Sequence, residues 1–178
     1  MLLMPRGDWH WKFNSNQSVL AIHLGEDLEF LTPYGDKLLV PNANYDTIFR
    51  VEHAAFYTDM LSMLKSQLSL SDASIVQIAL NATAIHFMLS PQMPKSWHFL
   101  AKDVFIFCEL GRMYELQTTS ERVVVLVVEQ SPQAAQVMLI SRMCSLSDCK
   151  VMNRFDTLKV MLNRLHPITS NIKNIFAA

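Results

Sequence analysis

Hydrophobic and polar positions alternate in short runs through the first fifty residues, which is the pattern of β-strands. Residues 9–13 (WHWKF) place a large aromatic side chain at every second position, so one face of this segment is predicted to be buried. A turn over 14–18 leads to a second predicted strand, 19–24, and a tight turn at Gly25 leads to a third, 28–31. The pattern predicts an antiparallel meander.

Apolar side chains then recur three and four positions apart, which predicts two helices. The first lies between Glu52 and Leu68. The second begins after Ser71, whose hydroxyl can accept a hydrogen bond from a backbone N–H that the first helical turn leaves without a partner. Pro91 ends this helix, because the residue before a proline is disfavoured in the helical conformation.

The composition changes to strand-forming residues after the segment 91–94 (PQMP), which is therefore the predicted domain boundary. A hairpin is predicted with strands over 104–110 and 113–117, followed by strands over 122–129, buried on both faces, and 134–142. A last helix is predicted over 156–165, since its leucines and a methionine recur at helical spacing. Strands, helices, strands and a helix in that order predict the α+β class.

The overall composition narrows the classes of function. Of the 178 residues 51% are hydrophobic and only 17% are charged, so the chain can form a globular core. The net charge of −1 argues against a nucleic-acid-binding protein, which normally carries a strongly basic face. The longest apolar run, 123–128, is far shorter than the roughly 20 residues of a membrane helix. With few cysteines and no predicted signal peptide, we expect a soluble, cytoplasmic protein.

Residue types that support catalysis or metal binding are scattered along the chain. The four glycines are well separated, so no phosphate-binding loop or dinucleotide fingerprint is predicted. The six histidines form no His-x-x-x-His pair, the three cysteines lack zinc-site spacing, and no Gly-x-Ser-x-Gly motif occurs. The sequence therefore predicts no catalytic residues, no metal and no cofactor, and we expect that the protein is not an enzyme.

One segment, 91–99 (PQMPKSWHF), combines two prolines with a cation and two large aromatic side chains. This composition favours a partner-binding surface, where Trp97 would supply contact area and Lys95 would attract an acidic partner. The alternative interpretation is a hinge between domains whose Trp97 and Phe99 enter the core of the second domain.

The same segment, together with Asn81-Ala82 before it, resembles the central signature of the ZapC family, the Z-ring-associated cell division proteins of gamma-proteobacteria. Residues 8–11 (DWHW) resemble the family's N-terminal Trp-x-Trp strand. Residues 126–129 (LVVE), followed by Ala134-Ala135, resemble its Leu-Val-Val-Glu hairpin. Residues 156–167 (DTLKVMLNRLHP) resemble its C-terminal helix and closing proline, so the resemblance spans nearly the whole chain.

The resemblance implies a non-enzymatic protein of the cytoplasm, located in the Z ring at midcell, that binds FtsZ, the tubulin-like division GTPase. It implies that the protein promotes lateral association of FtsZ filaments and lowers their GTP turnover, without contacts to nucleic acid or membrane. It also implies an N-terminal α/β domain, 1–92, and a C-terminal β-barrel-like domain with a terminal helix, 93–178. We expect a monomer or a weakly self-associating chain.

The resemblance further implies a pocket in each domain, and the C-terminal pocket, with an apolar centre and a basic rim, is the expected FtsZ contact. Its predicted residues are Lys95, Trp97 and His98, which lie within the matching segment, and Lys102 and Arg112, two further cations chosen by their position in the second domain. Where related sequences have a second lysine before Pro91, this chain has Ser90, which indicates weaker or differently placed charge contacts.

The residues that match the N-terminal pocket are Trp9, Trp11 and Ile22, whose alternative role is ordinary core packing. Aromatic-rich and methionine-rich pockets also leave open a second function, that of a regulator which binds a small molecule.

Overall fold

A computed structural model of the chain describes residues 1–103 and 107–169, in which two α-helices and ten β-strands form. This confirms the α+β class, with both helices in the N-terminal part and mostly strands in the C-terminal part. The chain divides into two compact units, one of Met1–Lys65 with Leu70–Pro91 and one of Ser66–Ser69 with Gln92–Ala178.

The N-terminal unit contains a four-stranded antiparallel sheet in the order β3-β2-β1-β4. Its strands are β1 (His10–Asn14), β2 (Val19–His23), β3 (Glu29–Gly35) and β4 (Thr47–Ile48). The first three form the predicted meander. The turn between β2 and β3 favours glycine, because Gly25 has a φ of 80°, a conformation that other residues rarely adopt.

Both predicted helices form, as α1 (Val51–Gln67) and α2 (Asp72–Met88). Ser71 is the N-cap of α2, and its Oγ accepts a hydrogen bond from the Ser74 N–H at 3.2 Å. The helix ends three residues before Pro91, as the proline predicts. No helix in the described ranges is long and apolar enough to cross a bilayer.

The C-terminal unit contains a second four-stranded antiparallel sheet and a separate two-stranded hairpin. The sheet has the order β10-β7-β6-β5, and β8 pairs with β9 in the hairpin. The strands are β5 (Met113–Gln117), β6 (Arg122–Gln130), β7 (Ala134–Leu139), β8 (Met143–Ser147), β9 (Lys150–Asn153) and β10 (Thr157–Met161). As predicted, β6 is buried on both faces, since all of 123–128 is inaccessible to solvent.

Extended segments cover both edge strands of this sheet. On β5, Glu115 and His166 exchange backbone hydrogen bonds of 2.9 Å each, and the Leu100 N–H donates to the Gln117 carbonyl at 2.8 Å. On β10, the Lys95 N–H donates to the Lys159 carbonyl at 2.8 Å. Backbone groups that an open edge would leave to solvent or to another chain are thereby satisfied within the unit.

The helix predicted over 156–165 is wrong, and with it the terminal helix that the family resemblance implied at this position. The segment forms β10 and a 3₁₀ turn, Leu162–Arg164. Leu158 and Val160 are buried, whereas Thr157, Lys159 and Met161 are partly exposed, which is the period of a strand. Pairing with β7 selects the strand over the helix, because only an extended segment can form backbone hydrogen bonds with the edge of a sheet.

The strand predicted over 104–110 is also wrong where the structure describes it, because 107–109 has no regular secondary structure. Residues 104–106 and the weakly patterned tail 170–178 lie outside the described residues. Strand β5 instead pairs with β6, with Met113 opposite Leu126. The β8–β9 hairpin was not predicted.

Truncation of Leu126, a fully buried side chain of β6, tests the packing of the sheet. We expect Leu126→Ala to lower the free energy of unfolding by about 2–5 kcal/mol, since it removes buried methyl groups and leaves a cavity. Urea denaturation of the full chain measures this loss. Met143→Ala, at a half-exposed position of β8, is the control and should change the free energy of unfolding little; equal losses would contradict the assignment of β6 to the core.

Candidate functional site

Residues 94–98 are held rigidly beside β10 in the C-terminal unit. Pro94 pairs with Lys159 in an isolated bridge. The buried Ser96 hydroxyl accepts a hydrogen bond from the Met161 N–H at 2.8 Å, and the Arg164 Nε–H donates to the Ser96 carbonyl at 3.1 Å. The backbone that carries the predicted partner-binding residues is therefore fixed before any partner arrives.

This anchored segment presents one aromatic side chain to solvent and buries the other. Trp97 is 71% exposed, whereas Phe99 lies in the hydrophobic core of the unit. Met93 is exposed as well, and the His98 ring centroid lies 5.4 Å from that of Trp97. Of the two aromatics in the hinge interpretation, only Phe99 enters the core.

Two lysines from separate elements lie close together at this segment. Burial, together with the ammonium group of Lys150 on β9, lowers the pKa of Lys95. In the described ranges no carboxylate lies within 4.0 Å of the Lys95 or Lys150 ammonium. We call this surface of Met93, Lys95, Trp97, Lys150 and Arg164 the Lys95 face. Sequence reasoning missed Lys150, because only the fold of the unpredicted hairpin relates it to Lys95.

A cavity of about 270 Å³ lies elsewhere in the same unit, beside the covered edge of β5. Of the predicted FtsZ-binding residues, Lys102 lines it, whereas Lys95, Trp97, His98 and Arg112 do not. Its walls are formed by Leu100, Ala101, Lys102, Glu115, Gln117, Arg122, His166, Pro167 and Thr169. The five predicted residues therefore do not converge on this cavity.

Arg112, the fifth predicted residue, is exposed and forms an ion pair with Glu109. Because the pair is on the surface, its contribution to stability is small. The neighbouring carboxylate also offsets the positive charge that Arg112 would offer to an acidic partner.

A buried carboxylate organises the cavity wall. Glu115 is 2% exposed, and its two oxygens accept hydrogen bonds from Thr169, from the N–H at 3.0 Å and from the hydroxyl at 3.1 Å. Arg122 donates from Nη1 to the same Thr169 hydroxyl at 3.2 Å. The Nε2 of His166 lies 3.2 Å from the Leu100 carbonyl, which can only accept, so this nitrogen carries the proton.

The three residues predicted for the N-terminal pocket lie in the core of the N-terminal unit. Trp9, Trp11 and Ile22 are each at most 1% exposed. The Trp11 Nε1–H donates to His53 Nδ1 at 3.1 Å, and the Arg50 N–H donates to the same nitrogen at 3.0 Å. A ligand could reach these side chains only if the unit opened.

Thiol and metal chemistry find little support in the described residues. Burial and a nearby carboxylate raise the pKa of Cys108 and of Cys144 to about 11, so both thiols stay protonated at neutral pH. Within 1–103 and 107–169, no three His, Cys, Asp or Glu side chains are grouped as metal ligands.

Comparison with known proteins identifies the family of this two-unit α+β chain. Residues 2–90 match the family model "Cell-division protein ZapC, N-terminal", and residues 91–171 match "Cell-division protein ZapC, C-terminal". The chain is 53% identical to Cell division protein ZapC of Shewanella frigidimarina, over 94% of this chain and 95% of that protein. It is 49% identical to the Shewanella oneidensis protein of the same name over the full length of both. The chain therefore belongs to the ZapC family and is a cell division protein.

The buried His53 should make the N-terminal unit less stable in acid. Burial, which outweighs the opposing charge of Glu52, lowers the pKa of His53 in the folded state below the ordinary value of about 6.5. As the pH falls below that value, the unfolded chain binds a proton that the folded chain does not, so folding stability decreases.

Urea denaturation at about pH 7.5 and about pH 5 measures this loss. The stability of His53→Gln should depend less on pH than that of the wild type. An unchanged pH dependence in His53→Gln would contradict the assignment.

Proposed function

We propose that the protein binds FtsZ directly, promotes lateral bundling of FtsZ filaments and lowers their GTP turnover, in the cytoplasm at the midcell Z ring. In this role it acts by binding and not as an enzyme. Membership of the ZapC family supports a role in division. The family resemblance of the central segment supports FtsZ as the partner.

The observation that carries the proposal is the exposed Trp97 beside Lys95 on a backbone fixed by β10. A large exposed aromatic side chain on a fixed backbone needs no ordering of the main chain on binding, so its burial contributes strongly to affinity. The surrounding cations add attraction for an acidic partner and set the orientation of approach. The Lys95 face thus has the apolar anchor and the charged rim of a protein interface.

The distribution of charge between the two parts of the chain supports the same face. Residues 92–178 contain ten Lys and Arg against seven Asp and Glu, a net charge of +3. Residues 1–91 contain five against nine, a net charge of −4. We expect FtsZ to be an acidic protein, so its filament is attracted to the C-terminal part and repelled by the N-terminal part at long range.

The proposal treats 1–92 and 93–178 as two domains, which the compact units and the two family matches support. The Lys95 face is the first FtsZ contact, with His98 beside it. Bundling needs a second contact, which comes either from another surface of a monomer or from weak self-association. Sedimentation equilibrium of the protein with and without FtsZ separates these two arrangements.

Reversal of the charge at Lys95 tests the proposed contact. We expect Lys95→Glu to abolish GTP-dependent co-sedimentation with FtsZ, because a carboxylate would then face the acidic filament. Light scattering and phosphate release should return to the values of FtsZ alone. Lys12→Glu, at an exposed lysine on β1, makes the same charge change away from the face and should leave co-sedimentation largely intact.

Two results would overturn parts of this proposal. Wild-type protein that stays in the supernatant with polymerised FtsZ would exclude direct binding. Normal pelleting of a folded Lys95→Glu variant would exclude the Lys95 face while leaving FtsZ binding in place.

Removal of the exposed tryptophan tests the apolar anchor. We expect Trp97→Ala to weaken FtsZ binding by at least about tenfold, with little change in the free energy of unfolding, because the side chain is mostly exposed. Tyr45→Ala is the matched control, since Tyr45 is 70% exposed on the N-terminal unit. Comparable losses in the two variants would show that Trp97 has no special role.

A further inference from the structure

The cavity beside β5 has the features of a second binding site, separate from the Lys95 face. Its wall includes two polar side chains that are more than nine-tenths buried, Glu115 and His166. Buried ionisable groups are costly unless they are hydrogen-bonded or serve a function. Here the hydrogen bonds of Thr169 and of the Leu100 carbonyl hold these two side chains in place.

Two halves of the wall differ in chemistry. Leu100, Ala101 and Pro167 supply apolar surface, whereas Lys102, Gln117 and Arg122 supply hydrogen-bond donors. This arrangement fits an amphiphilic molecule with an anionic head and a short apolar body. The volume of about 270 Å³ is at the lower end for ligand sites, so the ligand is small.

The donors are positioned for an oxyanion. Arg122 Nη1 contacts the Thr169 hydroxyl, and the remaining N–H groups of its planar guanidinium can bind two oxygens of one carboxylate or phosphate. The backbone N–H of Lys102 donates to the Asn163 carbonyl at 2.8 Å, which fixes the origin of the lysine side chain. In the described ranges neither Lys102 nor Arg122 forms an ion pair with a carboxylate.

The buried carboxylate sets a limit on the ligand charge. Lys102 and Arg122 bring two cationic side chains to a lining that also contains the buried Glu115. A single charged head is therefore favoured over a polyanion such as a nucleoside triphosphate, which would bring excess negative charge close to Glu115.

We propose that this cavity binds a small organic oxyanion, a carboxylate or a phosphate monoester with a short apolar body. Lys102 and Arg122 hold the anionic head, and the surface of Leu100 and Pro167 covers the body. The site is independent of FtsZ binding and would make the chain responsive to a metabolite.

Isothermal titration calorimetry of the full chain with hexanoate and with hexyl phosphate tests the proposal at constant ionic strength. We expect saturable binding of at least one of them and no binding of 1-hexanol, which has the same body without the charge. Preference between the two anions distinguishes a carboxylate source from a phosphate source.

Variants then locate the binding. Lys102→Gln and Arg122→Gln should each weaken it at least about tenfold. Arg112→Gln, which removes an exposed arginine outside the cavity, is the control and should bind as the wild type does. Circular dichroism confirms that the variants are folded.

Three outcomes would overturn the proposal. These are no saturable binding of either anion, equal binding of 1-hexanol, and equal weakening by Arg112→Gln, which would indicate nonspecific charge attraction. None of these measurements contains FtsZ, so their result does not depend on the proposed function.

Discussion

The C-terminal unit depends on one constraint, that the edge strands of its sheet must have their backbone groups satisfied. The central strand β6 is buried on both faces, so the sheet cannot turn one side to water. Extended segments complete the two edges, one beside β10 through Lys95 and one beside β5 through His166 and Leu100. These hydrogen bonds satisfy part of each edge within the unit, which disfavours pairing with another chain.

Both candidate sites arise from these covering segments. Hydrogen bonds anchor residues 94–98 to β10, and this anchored segment presents Trp97 to solvent. The segments at the β5 edge leave a cavity between them, with Glu115 and Thr169 holding it open. The same chain segments thus form the structural hydrogen bonds and carry the candidate binding residues. The strands hold these loop side chains in position.

The sequence predicted the local elements well where a single period dominates. The meander, both helices and the doubly buried β6 follow from hydrophobic patterning and from the signals of Ser71 and Pro91. The sequence-based prediction was wrong at 156–165. The pattern there also fits a strand with Leu158 and Val160 inward, and pairing with β7 favours that strand over a helix. For the candidate site, the family resemblance and composition singled out Lys95 and Trp97. The position of Lys150 next to Lys95 and the cavity beside β5 both depend on contacts between residues far apart in the sequence. No local sequence pattern indicates such contacts.

The burial of β6 has a consequence for the chain before it folds. Residues 123–128 are five valines and one leucine in succession, with no charged residue. Such a segment favours intermolecular β-sheet aggregation when it is exposed. Arg122 and Glu129 flank this run with opposite charges. Charged flanking residues act as gatekeepers, because stacking them in register places like charges together. Arg122 therefore protects the nascent chain during synthesis as well as lining a cavity in the folded one.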